Sequence, residues 1–336
     1  MSMDGIALGA VIRECQTLVG GKIDKVQQPE KDLLLFVVRA VSGTQRLLVC
    51  THAENGRMQL TCQSYDNPAQ APAFCMLLRR RLTGGRIVSI RQLGADRVCE
   101  IAVLARNELF DEVTLRLIVE LTGKHANLIL LEPFGTVIDC VRRVSAGEAD
   151  ARVLLPGFPY EPIPAQDKLD PFSVSQEQLI PLCAAPDPVR ALTAALGGVS
   201  KQTAQALLST CPAPEDLYSL LQAMRRGEYS PCLALNAEGE PRAALPFLPD
   251  ALYASVESVP RLSDALDRYY SERDAIVRTR RHGADLKKTV SAALSRAQNK
   301  YAAFSEAILG ASKLEALREQ GELILANLHL YRSGAC

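Results

Sequence analysis

The stretch Val113-Thr114-Leu115-Arg116-Leu117-Ile118-Val119-Glu120, then Leu121-Thr122-Gly123-Lys124-His125-Ala126, then Asn127-Leu128-Ile129-Leu130-Leu131 decides the fold. Two apolar runs of strand length flank a short polar cluster, the pattern of a β-hairpin. Gly123 lets the backbone turn or approach a partner closely. The cluster gathers one carboxylate (Glu120), one ammonium (Lys124), one imidazole (His125) and one amide (Asn127). It reads either as a turn with ordinary solvated residues or as four polar side chains facing one ligand.

The same reading extends outward in both directions. Upstream, Ile6, Val11, Ile12, Cys15 and Leu18 recur at helical spacing over residues 4–20, and Gly20-Gly21 end the helix. Short apolar runs follow at Leu33–Val38, Arg46–Cys50 and Met58–Thr61, with Ser42-Gly43 and Asn55-Gly56 as turns. Ala73–Thr83 reads as a helix whose three arginines sit near its C-terminus, where cations suit the dipole. Strands are expected at Arg86–Gln92, Val98–Ala105, Val113–Glu120, Asn127–Leu131 and Val137–Arg143. This succession is α+β with hairpins and not a βαβ series. No phosphate-loop or dinucleotide fingerprint is present.

Downstream, Pro156–Pro171 reads as a linker and residues 172–230 turn helical. Within them Leu196-Gly197-Gly198-Val199-Ser200-Lys201 reads as a tight turn between two helices, with Ser200 able to cap the second. It is either a plain αα-hairpin or a helix-hairpin-helix turn whose free N–H groups receive a phosphate oxygen. Residues 231–257, bracketed by Pro231, Pro241, Pro246 and Pro249, read as a short β insert. From Leu262 to Tyr331 proline disappears. Apolar positions there fit, loosely, one long helix or an antiparallel pair of coiled-coil type, with Gly283 and Gly310 as candidate breaks.

At 336 residues, with 48% hydrophobic residues and a formal net charge of zero, the chain suits a globular protein of two or three domains. Zero net charge excludes a uniformly basic nucleic-acid coat but leaves room for a local basic face. Tryptophan is absent, so an aromatic stacking platform is not expected. The ten cysteines form no C-x-x-C pair and mostly lie in apolar runs, the pattern of buried thiols in a reducing cytoplasm. Neither they nor the four histidines offer zinc spacing, and no metal or small-molecule cofactor is expected. No run reaches membrane-spanning length and no signal peptide is visible at Met1-Ser2-Met3-Asp4, so a cytoplasmic protein without membrane association is expected.

Several segments, in order, resemble the NFACT family: Met3-Asp4-Gly5, Leu18–Pro29, Phe74–Leu82, Gly84–Ile87, Asp96-Arg97, the Gly123 block, Val137–Asp139, Leu155–Gly157 and Pro164–Lys168. Some of its members were long labelled fibronectin-binding proteins. The resemblance implies an NFACT-N domain over residues 1–170, similar to the N-terminal fold of formamidopyrimidine-type DNA glycosylases. A helix-hairpin-helix region (171–230), a connecting insert (231–260) and a coiled-coil arm (261–336) would follow. The family's arm continues into a further domain, so a truncated chain is expected. Glycosylase chemistry is not: those enzymes use an N-terminal proline and an adjacent glutamate, and Met1-Ser2-Met3-Asp4 supplies neither.

The resemblance further implies ribosome-associated quality control. The protein would bind the large ribosomal subunit carrying a stalled peptidyl-tRNA. It would recruit tRNA(Ala) for template-independent alanine tailing, while the ribosome makes the peptide bond; it would therefore be a positioning factor with no catalytic residue of its own. Asp96 and Arg97 match the family's transfer-RNA hallmark, with Arg97 on the RNA and Asp96 orienting it or accepting from a base. Read without the family, the pair suits a surface turn best, ahead of a charge-assisted Asp–Arg contact or a phosphate fork. Glu120, Gly123, Lys124, His125 and Asn127 match a second hallmark, which usually carries methionine where Thr122 stands. Phosphate contacts are expected from Arg79, Arg80, Arg81, Arg86, Gly198, Ser200 and Lys201. A second basic group (Arg273, Arg278, Arg280, Arg281, Lys287 and Lys288) suits an RNA backbone or a wet helix face. Two alternatives are a fibronectin-binding surface adhesin and a catalytically inactive, glycosylase-like nucleic-acid-binding protein.

Overall fold

The strand alternation at Val98–Arg106 organises the first half of the molecule. Cys99, Ile101, Val103 and Ala105 enter one buried cluster, while Glu100, between them, points to the other face and takes Arg91 and Arg116 at 2.8 and 2.7 Å. In this computed structural model, which describes residues 3–145, 152–164, 166–250 and 252–330, that strand sits in a nine-stranded antiparallel sheet. Along the last helix the described set leaves out the side chains at 272, 277, 278, 280–282, 285 and 312.

The strands are β1 (Lys22–Glu30), β2 (Leu33–Ala40), β3 (Gly43–Cys50), β4 (Arg57–Leu60), β5 (Arg86–Gln92), β6 (Val98–Arg106), β7 (Glu112–Glu120), β8 (Asn127–Leu131) and β9 (Val137–Cys140), in the order β4-β3-β2-β1-β5-β6-β7-β8-β9. Consecutive strands pair antiparallel within β1–β4 and within β5–β9, and β1 joins the two series by meeting β5 at the single pair Lys22–Arg86. Helix α1 (Gly5–Cys15) begins at Asp4, whose carboxylate accepts from the Ala7 N–H at 3.0 Å. Its apolar residues Leu8, Val11, Ile12 and Cys15 join α2 (Ala73–Leu82) in covering the sheet. Each fully buried aliphatic side chain of this kind contributes roughly 1.5–3 kcal/mol.

Four helices follow: α3 (Gln176–Cys183), α4 (Pro188–Ala195), α5 (Lys201–Thr210) and α6 (Pro214–Arg225). They share a second apolar cluster with the insert, a three-stranded sheet of β10 (Cys232–Leu235), β11 (Pro241–Leu245) and β12 (Ser255–Ser258) in the order β11-β10-β12. Helix α7 (Leu262–Ala326) is a single 65-residue helix. The expected breaks at Gly283 and Gly310 do not occur, because an isolated helical glycine costs only about 1 kcal/mol.

The chain forms two compact units, Met1–Glu272 and Arg273–Cys336. The expected start of the arm at 261 thus falls inside the first unit, where Leu262, Ala265, Leu266, Tyr269 and Tyr270 are buried in the main core. The Glu14 carboxylate caps that helix start, accepting from the N–H groups of Leu262 (2.5 Å) and Ser263 (3.2 Å). Asp267 accepts from Thr61 Oγ1 at 2.8 Å and the Cys62 N–H at 3.1 Å, and the buried Arg57 guanidinium lies 4.2 Å from the Tyr270 ring. In the second unit the described side chains are nearly all exposed. Among the described residues no helix is long and apolar enough to cross a membrane.

Candidate functional site at one end of the large sheet

The turn after β5 and the connection after β7 lie side by side. Val98 pairs with Glu120, and the Leu121 N–H donates to the Arg97 carbonyl at 2.9 Å. The two sequence blocks, Asp96-Arg97 and Glu120–Asn127, are therefore brought to one end of the sheet by antiparallel registry. The side chains within them play different parts.

In the first block, the Arg97 N–H donates to Asp96 Oδ1 at 2.7 Å, so Asp96 shapes the turn instead of binding the guanidinium. The Arg97 guanidinium has no hydrogen bond or ion pair among the described residues, which leaves its fork free. In the second block, Gly123 has φ +63°, a left-handed conformation that favours glycine. Lys124 and His125 on the short 3₁₀ turn Gly123–His125 are exposed. Glu120 is fully buried: Tyr160 Oη donates to it at 2.7 Å and Arg152 pairs with it. Burial, then the Glu120 charge, push the Tyr160 phenol well above its ordinary range. Asn127 is also buried and bonded. It donates to the Arg142 carbonyl at 2.8 Å and accepts from the Leu128 and Arg142 N–H groups, each at 3.0 Å.

Two clefts flank these turns. One of about 560 Å³ is lined by Gly94, Ala95, Asp96, Tyr160, Gly197 and Gly198, among others. The other, about 320 Å³, is lined by Thr122, Lys124, His125, Arg142 and Arg152, with Val144 and Leu154 on its apolar side. Thr122 Oγ1 is buried without a hydrogen-bond partner among the described residues. Arg142, with Arg152 and Tyr160, is among the residues that sequence reasoning missed. Its guanidinium donates to the Lys124 carbonyl at 2.8 Å and stands 3.8 Å from Asp32, linking the turn to the far half of the sheet. Nothing in the spacing signalled it, since these partners lie on other strands' ends.

The arginine group of α2 and β5 lies elsewhere. Arg86 begins β5 and the Asp96-Arg97 turn follows its end, about 20 Å along a seven-residue strand. Arg79 donates to the Val26 carbonyl at 2.7 Å, Arg80 pairs with Glu108, Arg81 stands 3.6 Å from Glu132, and Arg86 donates to the Gly20 carbonyl at 2.7 Å. The strand direction thus sets these arginines, from which phosphate contacts are expected, apart from the Asp96-Arg97 turn. At the α5 start, Ser200 Oγ accepts from the Thr203 N–H at 3.2 Å while the Ser200 N–H donates to Asp4 Oδ2 at 3.1 Å. The Gly198 carbonyl accepts from the N–H groups of Gly5 and Ile6. A phosphate there would meet the Asp4 carboxylate, so Gly198 and Ser200 hold α1 against the hairpin; Lys201 remains exposed. Of the second basic group, the side chains of Arg278, Arg280 and Arg281 lie outside the described residues. Among the described residues no cluster of three His, Cys, Asp or Glu side chains has metal-binding geometry.

Residues 4–335 match the family model described as NFACT N-terminal and middle domains. The chain is 30% identical over 354 aligned positions to the Rqc2 homolog RqcH of Bacillus subtilis, covering 99% of this chain and 60% of that protein. It is 30% identical over 332 positions to the protein of the same name from Streptococcus pneumoniae, covering 98% of this chain and 58% of that one. The chain thus spans about three-fifths of these relatives. Among solved structures, the N-terminal part of the fibronectin/fibrinogen-binding protein from Streptococcus suis superposes with a TM-score of 0.70 at 30% identity. That match covers 80% of this chain and 99% of the other. The fibrinogen-binding protein from Staphylococcus aureus gives a TM-score of 0.69 at 26% identity, with the same coverage.

Proposed function

The chain belongs to the NFACT family, and from that premise we propose that it acts in ribosome-associated quality control. Its partners in this reading are the large ribosomal subunit with a stalled peptidyl-tRNA and an incoming tRNA(Ala), in the cytoplasm. Its task is to position that transfer RNA for template-independent alanine tailing. The ribosome makes the peptide bond, so the protein needs no catalytic residue or cofactor. One observation supports the reading: antiparallel registry brings the Asp96-Arg97 turn, whose arginine guanidinium has no partner among the described residues, to the same sheet end as the turn that carries the exposed Lys124 and His125. A free planar fork suits a phosphate or the edge of an unstacked base, as in recognition of single-stranded RNA loops. Glu120 and Asn127 serve from beneath, holding the turn rather than touching RNA. Arg79, Arg80, Arg81 and Arg86 have no part at this end. Lys201, exposed at the start of α5, adds a phosphate contact.

The test is capture of transfer RNA from total bacterial RNA by this chain at moderate salt. Wild type is expected to enrich one transfer RNA. Arg97→Ala is expected to lose about tenfold in affinity, in line with the ~1–3 kcal/mol of a good fork contact, at an unaltered melting temperature. Equal retention by the folded variant would remove Arg97 from the interface.

A second reading has support in the names of the solved relatives, a fibronectin/fibrinogen-binding and a fibrinogen-binding protein. Immobilised fibronectin discriminates the two. Saturable retention of this chain that Arg97→Ala leaves unaltered would favour an adhesive surface elsewhere on the molecule.

A further inference from the structure

Three backbones meet at one point beneath the Arg97 turn. A Cβ placed on Gly5 would stand 2.0 Å from the Ala95 carbonyl oxygen, and one on Gly198 would stand 1.9 Å from the same atom. Only glycine at both positions lets that carbonyl seat itself between α1 and the α4–α5 turn. The Gln92 amide closes the seat from the side, donating to the Gly5 carbonyl at 2.8 Å and to the Asp96 carbonyl at 2.9 Å. Asp4 fixes the two helical walls to each other. Its carboxylate accepts from the Ala7 N–H at 3.0 Å, the Ser200 N–H at 3.1 Å and the Thr203 hydroxyl. The turn itself leaves β5 through Gly94 at φ +66° and closes with Leu93 N–H to the Val98 carbonyl at 2.9 Å. From the sheet side it is held by that bond and by the Leu121 N–H on the Arg97 carbonyl, so the path of the chain into Arg97 depends on what holds Ala95 and Asp96.

We propose that the Gly5–Gly198 notch and the Gln92 amide form a seat that sets the direction of Arg97. The α4–α5 turn is then a positioning element for that arginine and not a phosphate receptor, and Gln92 is a positioning residue. The functional half of this inference rests on the RNA reading of Arg97; the structural half does not. A site held on rigid neighbours loses affinity when the support loosens, even though no contact to the ligand is removed.

The experiment uses Gln92→Met, which keeps the side-chain length and removes both hydrogen bonds, with Gly198→Ala as a harsher companion. Hydrogen exchange followed by NMR tests the seat without RNA. The amides of Arg97 and of Leu121, which bonds the Arg97 carbonyl, are expected to exchange at least tenfold faster in Gln92→Met. Those within β6 and β7 should keep their rates. Unaltered rates at Arg97 and Leu121 overturn the seat. A double-mutant cycle on RNA affinity tests the consequence. Gln92→Met is expected to weaken binding three- to tenfold with the salt dependence unchanged, and to have no further effect in an Arg97→Ala background. An equal loss in both backgrounds means that Gln92 acts independently of Arg97 and overturns the positioning role. If Arg97→Ala alone leaves RNA binding intact, the RNA reading and the positioning role for binding fall together, and the exchange data then decide whether the seat exists.

Discussion

Arg97, just before β6, and Glu120, at the end of β7, are both charged and have opposite fates. Arg97 keeps its guanidinium unpartnered among the described residues, whereas Glu120 is buried with Arg152 and Tyr160. Removing the carboxylate leaves a desolvated arginine, a loss of about 3–5 kcal/mol for a broken buried pair. Glu120→Leu is therefore expected to lower the urea midpoint sharply, with any loss of RNA binding following the loss of fold. Lys124→Ala and His125→Ala, at exposed positions, are expected to stay within about 0.5 kcal/mol of wild type in the same titration. The polar cluster was legible in the sequence, and so was its turn. Which of its members face solvent was not, because the partners of Glu120 come from a linker on another part of the chain and those of Asn127 from the strand end after β9.

At the scale of elements, the anchored start of α7 is where pH acts. Burial raises the pKa values of both Glu14 and Asp267, and hydrogen bonds from Ser263 and Thr61 respectively lead the opposing effects. A carboxyl raised in the folded state favours folding when protonated. Its contribution is complete below the unfolded value, about 4 for aspartate, and is lost as pH rises through the folded value. Compared with Asp267→Asn, wild-type stability is thus expected to decline more steeply with rising pH across that window. Melting curves from about pH 4 to 7 check it; parallel profiles would place the titration elsewhere. Helical periodicity marked α7, but its anchoring was invisible, since Glu14, Thr61 and Asp267 meet only when residues some two hundred positions apart are packed together.

For the whole molecule, the division at residue 272 separates a densely packed unit from one whose described side chains are almost all exposed. Local stability follows buried contacts, and a helix without tertiary packing is marginal. Limited trypsin digestion is expected to cut first beyond residue 272, leaving an N-terminal fragment whose melting temperature matches that of the intact chain. First cuts within β1–β9 would contradict this ranking. Within the first unit the thiols divide by burial. Burial raises the pKa of Cys140 and of Cys232 to about 11, while Cys62 is exposed, so alkylation discriminates core from surface in one experiment.

Local chemistry determined the element types, because alternation, helical periodicity and glycine turns are properties of neighbouring residues. Strands β5 and β8 begin and end where the pattern placed them, and the family resemblance was carried by motifs spread along the chain. Only the tertiary structure decided which charges stayed free. Antiparallel registry joined the Asp96-Arg97 and Gly123 turns, while the seven-residue length of β5 carried Arg86 away from them. Asp4 ties the start of α5 to the start of α1. Desolvation and pairing depend on partners distant in the chain, and a linear pattern does not record them.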